Sequence, residues 1–246
     1  MTTRRITSVA IACAVAALVL AIVATASLAL GSRQIAPAVV WDALVHGGVS
    51  QDAQVVTQLR VPRTIAALII GGALGLAGSI MQAMTRNPLA DPGVLGINAG
   101  AAFVVVTVTA ATGVTTRMGT LVASLLGAGV AAALVFAVSG SGGGSRSRLA
   151  LAGIAVSAAL ASLTQAVLAA NQYAFNEFRY WASGSLEGVD MASVVAAGAV
   201  IACGGVVAAL ISSALGVLAI GEDTAVSLGV RVRLIRTLGV VAVTAL

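Results

Sequence analysis

Lysine is absent from this chain, and all 13 of its basic residues are arginines. A phosphate-binding loop of the GxxxxGK[ST] type needs a lysine, so the chain has no ATP site of that kind. The glycine- and serine-rich residues 139–148 are therefore interpreted as a flexible inner loop. If the chain takes part in an ATP-driven process, another chain must hydrolyse the nucleotide.

Cysteine, histidine and charged residues are also scarce. Cys13 and Cys203 lie in apolar runs without a partner at motif spacing, and His46 is the single histidine. Neither a disulfide nor a metal site is predicted from them, and we expect no catalytic residue and no cofactor on this chain. Charged residues make up 9% of the sequence, and the net charge of +5 is interpreted as a result of membrane topology. It gives no reason to predict a nucleic-acid partner.

Apolar residues dominate what is present, at 59% of the sequence with a mean hydropathy of +1.08. Six uncharged runs each exceed the length of about 20 residues that a helix needs to cross a bilayer. These runs are residues 6–32, 64–85, 93–116, 118–145, 149–176 and 191–221. Because they lack the alternation of a barrel strand, we predict an all-α polytopic membrane protein. A last apolar run, residues 237–246, is half a span and predicts an incomplete seventh helix in a truncated chain.

Arginine placement predicts the orientation. A cytoplasmic N-terminus puts eight arginines inside and five outside, in agreement with the positive-inside rule. The first span has one alternative interpretation, a cleaved signal peptide, because a basic segment precedes it and small residues follow it. Its apolar stretch is longer than an ordinary signal peptide contains, so we favour a membrane helix.

Two glycine patterns are interpreted as helix-packing faces. Gly71, Gly75 and Gly78 recur on one face of the second helix, and residues 93, 96 and 100 form a similar stripe on the third. Small residues allow helix backbones to approach closely within a membrane.

A charged, proline-containing turn separates the second and third spans. Asn87 and Asp91 are predicted to cap, while Pro88 and Pro92 are predicted to end one helix and prepare the next. We call residues 87–93, NPLADPG, the signature turn. Taken alone, it is an ordinary tight turn between two helices.

The turn belongs to a longer pattern of four segments. RVPR opens residues 60–101 and NPLADPGVLG lies near their end, while WASGSL and GEDTAVSLGV follow at residues 181–186 and 221–230. Their order and spacing resemble those of the FecCD family, the permeases of bacterial type II ABC importers for iron–siderophore complexes, haem and cobalamin. The signature-turn residues that carry the resemblance are Asn87, Pro88, Asp91, Pro92 and Gly93.

The resemblance implies a transmembrane permease subunit, without enzymatic activity, in the bacterial inner membrane. It implies a fold of ten helices, so residues 1–246 are predicted to be one permease domain that lacks helices seven to ten. The implied partners are cytoplasmic ABC ATPases that hold ATP and Mg, an extracytoplasmic substrate-binding protein, and a second permease in a homo- or heterodimer. Membrane lipid is the remaining partner.

The resemblance also implies that residues 214–236 form a cytoplasmic coupling loop that packs against the ATPase. Physical reasoning agrees, because Asp223 or Thr224 can cap a short helix there and Gly229 suits its end. An ordinary inner loop is the alternative. The predicted coupling residues are Gly221, Glu222, Asp223, Ala225, Leu228 and Gly229.

Arg60 and Arg63 are predicted to lie outside the membrane, with Pro62 in the first turn of the second helix. The resemblance implies that both arginines bind carboxylates of the substrate-binding protein. Asp52 within the chain, or lipid phosphates, are alternative partners.

Polar residues inside the spans are candidates for the translocation pathway, although such groups also join helices to one another. We single out Gln82, Asn98, Ser162 and Gln165. Two other functions remain open, an ion-coupled secondary transporter and a non-transporting membrane anchor or assembly protein. The spans lack the ionisable groups that ion-coupled carriers bury at mid-membrane, which weakens the first.

Overall fold

The computed structural model describes residues 2–31, 33–114, 116–139 and 146–246, and every regular element in these ranges is helical. Most of the predicted inner loop at residues 139–148 lies outside the described residues. The chain divides into two compact units, the first comprising Met1–Leu68 with Leu186–Val194 and the second Ile69–Ser185 with Val195–Leu246.

The N-terminal part of the chain begins with a long helix followed by shorter ones. Its elements are α1 (Thr2–Ala29), α2 (Pro37–His46), α3 (Gln51–Gln54), a π-helical segment (Val55–Arg60) and α4 (Val61–Thr85). In the first unit, Ile35, Val40, Ala43, Ala53 and Val56 form a small buried cluster.

The rest of the chain contains the remaining helices. They are a 3-10 turn (Pro92–Leu95), α5 (Ile97–Thr112), α6 (Arg117–Ser139), α7 (Arg146–Ala170), α8 (Gln172–Ala182), α9 (Met191–Ile220), α10 (Glu222–Ser227) and α11 (Val232–Ala245). The main core of the second unit collects side chains from α4, α6, α9 and α11, including Met81, Val135, Ile211 and Val243.

Within the described ranges, five helical stretches are long and apolar enough to cross a membrane, and they correspond to five of the six predicted spans. They are Thr7–Ala29, Gln51–Thr85, Arg117–Ser139, Arg148–Ala170 and Met191–Ile220. The remaining predicted span, residues 93–116, contains α5, an apolar helix of 16 residues that is shorter than these five stretches. The 3-10 turn and Gly96, in a left-handed conformation (φ 69°), take up the start of that run.

Pro62 is the second residue of α4, as the sequence predicts, but the helical run continues through it from residue 51 to residue 85. A proline there removes one backbone hydrogen bond and its ring crowds the carbonyl one turn earlier. The π-helical segment immediately before it widens the turn, and the Val61 amide donates to the Val56 carbonyl, five residues back. This wider turn lets the helix continue through the proline.

Helices α5 and α6 cross with their backbones in close contact. A Cβ placed at Gly127 would lie 2.2 Å from the Gly100 carbonyl oxygen, and one at Gly100 would lie 2.3 Å from the Gly127 carbonyl oxygen. Gly100 of the predicted stripe therefore serves close backbone packing. Gly96 also packs closely, since a Cβ there would lie 3.2 Å from Ser157 Oγ of α7. The packing predicted for Gly71, Gly75 and Gly78 is not observed, since a Cβ at each would meet no atom within 4 Å in the described part of the chain.

Candidate functional site

The signature turn begins where α4 ends. Arg86 adopts a left-handed conformation (φ 51°), and the Asn87 amide donates to the Gln82 carbonyl at 3.3 Å. This closure satisfies a carbonyl at the helix terminus, a task that usually falls to glycine. The sequence gives no signal for this closure at Arg86.

Side chains then hold the turn together. Asn87 Oδ1 accepts from the Leu89 amide at 3.0 Å, and Asp91 Oδ1 accepts from the Gly93 amide at 2.7 Å. Asp91 is the N-cap of the 3-10 turn that Pro92 opens. The predicted cap at Asp91 is thus confirmed, whereas Asn87 closes an Asx turn and caps no helix in the described part of the chain.

Gln82 contributes to this turn. Its Nε2 donates to the Pro88 carbonyl at 2.9 Å, across the turn from the last part of α4. The side chain that we predicted as a pathway candidate is therefore occupied in bracing the signature turn.

The predicted coupling loop, residues 214–236, contains the end of α9, the short helix α10 and the start of α11. Gly221 is the N-cap of α10, so the predicted caps at Asp223 and Thr224 are wrong by two or three residues. Glu222 and Asp223 occupy the first turn, where negative charge suits the helix dipole.

A left-handed glycine ends α10. Gly229 has φ 77°, and the amides of Gly229 and Val230 donate to the carbonyls of Val226 and Ala225, both at 2.9 Å. These paired bonds form a Schellman closure, which confirms the terminating role predicted for Gly229.

Helix α10 has one buried and one exposed side. Ala225 is fully buried, whereas Val226 and Leu228 are 62% and 66% exposed. Val226 near the end of this six-residue helix and Leu228 at its C-cap are thus two large apolar side chains exposed to solvent.

The two predicted docking arginines lie in different environments. The Arg60 side chain is buried, and its guanidinium donates to the carbonyls of Leu28 and Ala29, at 2.8 and 2.7 Å, and to that of Arg33. Arg63 is partly exposed and has no side-chain hydrogen bond or ion pair among the described residues. This arrangement favours a structural role for Arg60 and leaves Arg63 as the available guanidinium.

Asp52 does not pair with either of them. Asp52 instead forms an ion pair with Arg33 within the first unit, and Arg33 Nε lies 2.7 Å from Asp52 Oδ1. Sequence reasoning missed this pair because nothing in the spacing of residues 33 and 52 distinguishes it.

The remaining pathway candidates lie on the surface of the described chain. Ser162 and Gln165 are three residues apart on α7 and share a face, with Ser162 Oγ donating to the Ala158 carbonyl at 2.9 Å. Asn98 is exposed in the first turn of α5. The structure therefore places Ser162 and Gln165 together, while Gln82 of α4 bonds to the signature turn.

Known proteins are similar to this chain in sequence and in fold. The FecCD transport family matches residues 8–246. The ferric enterobactin transport system permease protein FepD of Escherichia coli (strain K12) is 41% identical over 232 residues, which cover 93% of this chain and 70% of FepD.

More distant relatives include the Fe(3+)-citrate import system permease protein YfmD of Bacillus subtilis (strain 168), 34% identical over 81% of this chain and 57% of YfmD. The hemin transport system permease protein HmuU of Yersinia pestis is 33% identical over 71% of this chain. The chain thus spans about half of HmuU (54%) and somewhat more of the other two.

A solved metal-chelate type ABC transporter in an inward-facing conformation superposes with a TM-score of 0.76. The match covers 93% of this chain and 70% of the other, at 23% identity. At this level of identity the likeness shows the fold.

Proposed function

Because the chain belongs to the FecCD transport family, we propose that it is a transmembrane permease subunit of an ATP-driven importer. The ligand class is an iron–siderophore complex or a related metal chelate, as the names of FepD, YfmD and HmuU suggest. The chain lies in the bacterial inner membrane with its N-terminus in the cytoplasm and forms the pathway together with a second permease.

The observation that carries this proposal is the form of α10. It is too short to span a membrane, it is anchored through buried Ala225, and it exposes Val226 and Leu228. A short helix with exposed apolar side chains at its C-terminal end suits a groove on a partner protein. We assign that partner as a cytoplasmic ABC ATPase, which holds ATP and Mg.

The signature turn supports the same interpretation. The Arg86 guanidinium lies beside Gly221, with Nη1 3.8 Å from the position that a Cβ would take on that glycine. The turn and the start of α10 are therefore neighbours at one end of the second unit, where a cytoplasmic partner would meet both.

Two further sites belong to the proposal. Arg63 is the side chain that we assign to docking of an extracytoplasmic substrate-binding protein. Ser162 and Gln165 on α7 are the side chains that we assign to the pathway, which the second permease completes.

Affinity purification from native membranes tests the proposal. We expect an ABC ATPase and a substrate-binding protein to co-purify with the chain. Replacement of Leu228 by Asp puts a charge on the exposed side of α10 and should lower ATPase recovery at least tenfold, about 1.4 kcal/mol of binding free energy.

Val49→Asp is the matched control, because Val49 is 94% exposed but precedes α3, far along the chain from α10. It should leave ATPase recovery unchanged. Recovery of neither protein contradicts the importer and supports a secondary carrier, and recovery of unrelated proteins alone supports a membrane anchor.

A further inference from the structure

An ion pair holds α10 to α11. Arg236 Nη2 donates to Glu222 Oε2 at 2.8 Å, and the two side chains are 29% and 34% exposed. Glu222 lies in the first turn of α10, while Arg236 lies in the second turn of α11. The pair therefore closes the loop of residues 228–231 between the two helices.

Other charged groups do not duplicate this connection. Asp223, Arg231 and Arg233 are exposed and have no side-chain hydrogen bond or ion pair within the described ranges. Arg86 lies beside the Gly221 backbone. Within the described chain, Glu222–Arg236 is thus the one ion pair between α10 and α11.

The C-terminal part of α11, from Gly239 onward, fits tightly into the second unit. A Cβ at Gly239 would lie 2.5 Å from the Met84 sulfur of α4, and one at Gly204 of α9 would lie 3.1 Å from the Ala242 carbonyl oxygen. Ala242 and Val243 are almost completely buried. A displacement of α11 would consequently press on both α4 and α9, because packed helices transmit strain.

We propose that the Glu222–Arg236 pair makes α10 and α11 move as one body, so that force applied to α10 reaches α4 and α9 through α11. This inference rests on the proposed function, since it takes the ATPase as the source of that force. Glu222 and Arg236 are positioning residues in this account. Residues 228–231 join the two helices through the backbone, and the pair adds a side-chain connection to that link.

Hydrogen–deuterium exchange on the purified full chain in lipid nanodiscs tests the proposal. Peptides covering residues 222–229 and 230–238 are followed with and without a saturating amount of the ABC ATPase that co-purifies with the chain. In the unmodified chain we expect the ATPase to slow exchange in both peptides.

The variants are Arg236→Gln, Glu222→Gln and the charge swap Glu222→Arg with Arg236→Glu. Either single change should speed exchange in residues 222–229 about fivefold without ATPase, since a partly exposed ion pair contributes modestly to local stability. With the ATPase bound, protection of residues 222–229 should return while protection of residues 230–238 is lost. The charge swap should restore protection of both peptides, because it rebuilds the ion pair with its charges exchanged. If the single changes acted only by disturbing the local structure, the double change would not be expected to restore protection.

Arg233→Gln is the control, because Arg233 is an exposed arginine one turn from Arg236 on the same helix. It should behave as the unmodified chain does. Equal protection of residues 230–238 in the single variants and the unmodified chain would overturn the inference while leaving the importer intact. Absence of protection at residues 222–229 in the unmodified chain would instead contradict the assigned ATPase contact.

Discussion

The Arg60 guanidinium donates to carbonyl groups that the last turn of α1 would otherwise leave without partners. Leu28 and Ala29 end that helix, and Arg33 lies just beyond it. A helix terminus that is buried without hydrogen-bond partners is costly. Arg60 thus caps the C-terminal end of α1, although it lies 32 residues after Leu28 in the sequence.

We predict that Arg60→Met lowers the unfolding free energy of the first unit by about 2 kcal/mol, because the carbonyls lose their donors. Arg60→Lys should recover only part of this stability, since one ammonium cannot reproduce the planar fork of a guanidinium. Limited proteolysis between α1 and α2 measures the effect as an increased cleavage rate. Arg63→Met should change the rate little, and equal rates for both variants would contradict the capping role.

Arg63 carries a separate prediction. In the assembled importer, Arg63→Glu should weaken docking of the substrate-binding protein at least tenfold, about 1.4 kcal/mol. The loss should appear mainly in the association rate and diminish as salt is raised, because rim charges act over the screening length. Surface-immobilised binding protein provides the measurement.

Arg117→Glu, at the start of α6, is the charge-matched control for Arg63. Docking that is unchanged by Arg63→Glu, or reduced equally by Arg117→Glu, would remove Arg63 from the interface.

At the scale of helices, the crossing of α5 with α6 depends on two glycines that oppose each other. A methyl group at Gly127 would overlap the Gly100 carbonyl, which belongs to the backbone and cannot rotate away. In an unobstructed helix, alanine is more favourable than glycine by about 0.5–1 kcal/mol. Steric overlap reverses that preference here.

We predict that Gly127→Ala destabilises the α5–α6 pair by about 2 kcal/mol, a typical cost of overpacking. Gly129→Ala on the same helix is the matched control, because a Cβ there meets nothing within 4 Å. Thermal unfolding in detergent should show a lower midpoint for Gly127→Ala alone. Identical midpoints for the two variants would contradict the close crossing.

The sequence predicts where helices form, but it does not predict which helices contact each other. Long uncharged runs predict spans because hydropathy is a property of each segment, and Asp91 and Gly229 predict their caps because capping is local. The Gly100–Gly127 crossing and the burial of Arg60 depend on which segments meet in space. The same limit explains why Gly71, Gly75 and Gly78 share a helical face without packing against another described residue.

At the scale of the whole molecule, the absence of lysine has a direct biochemical consequence. We predict that the purified chain alone hydrolyses no ATP, because it lacks the lysine of a phosphate-binding loop. Addition of the co-purifying ABC ATPase should give activity. Release of phosphate from ATP measures the activity in both cases. Robust hydrolysis by the chain alone would contradict the assignment of ATP hydrolysis to a separate protein.

The family and the class of transporter were also within reach of the sequence, since four spaced motifs carry the resemblance. The roles of individual site residues were predicted less completely from the sequence. Gln82 looked like a pathway residue because it is polar in an apolar run, whereas its amide supports the signature turn. Arg236 gave no signal at all, since an arginine near the start of a membrane helix is ordinary in the positive-inside pattern.

The division into two units gives the protein its own pair of fluorescent reporters. The sequence contains two tryptophans, and Trp41 lies in the first unit while Trp181 lies in the second. Trp41 is 69% exposed, whereas Trp181 is 37% exposed and stacks on Phe178 with ring centroids 5.8 Å apart. Trp41→Phe and Trp181→Phe each leave a single emitter, so quenching and emission maxima can follow each unit separately without an added label.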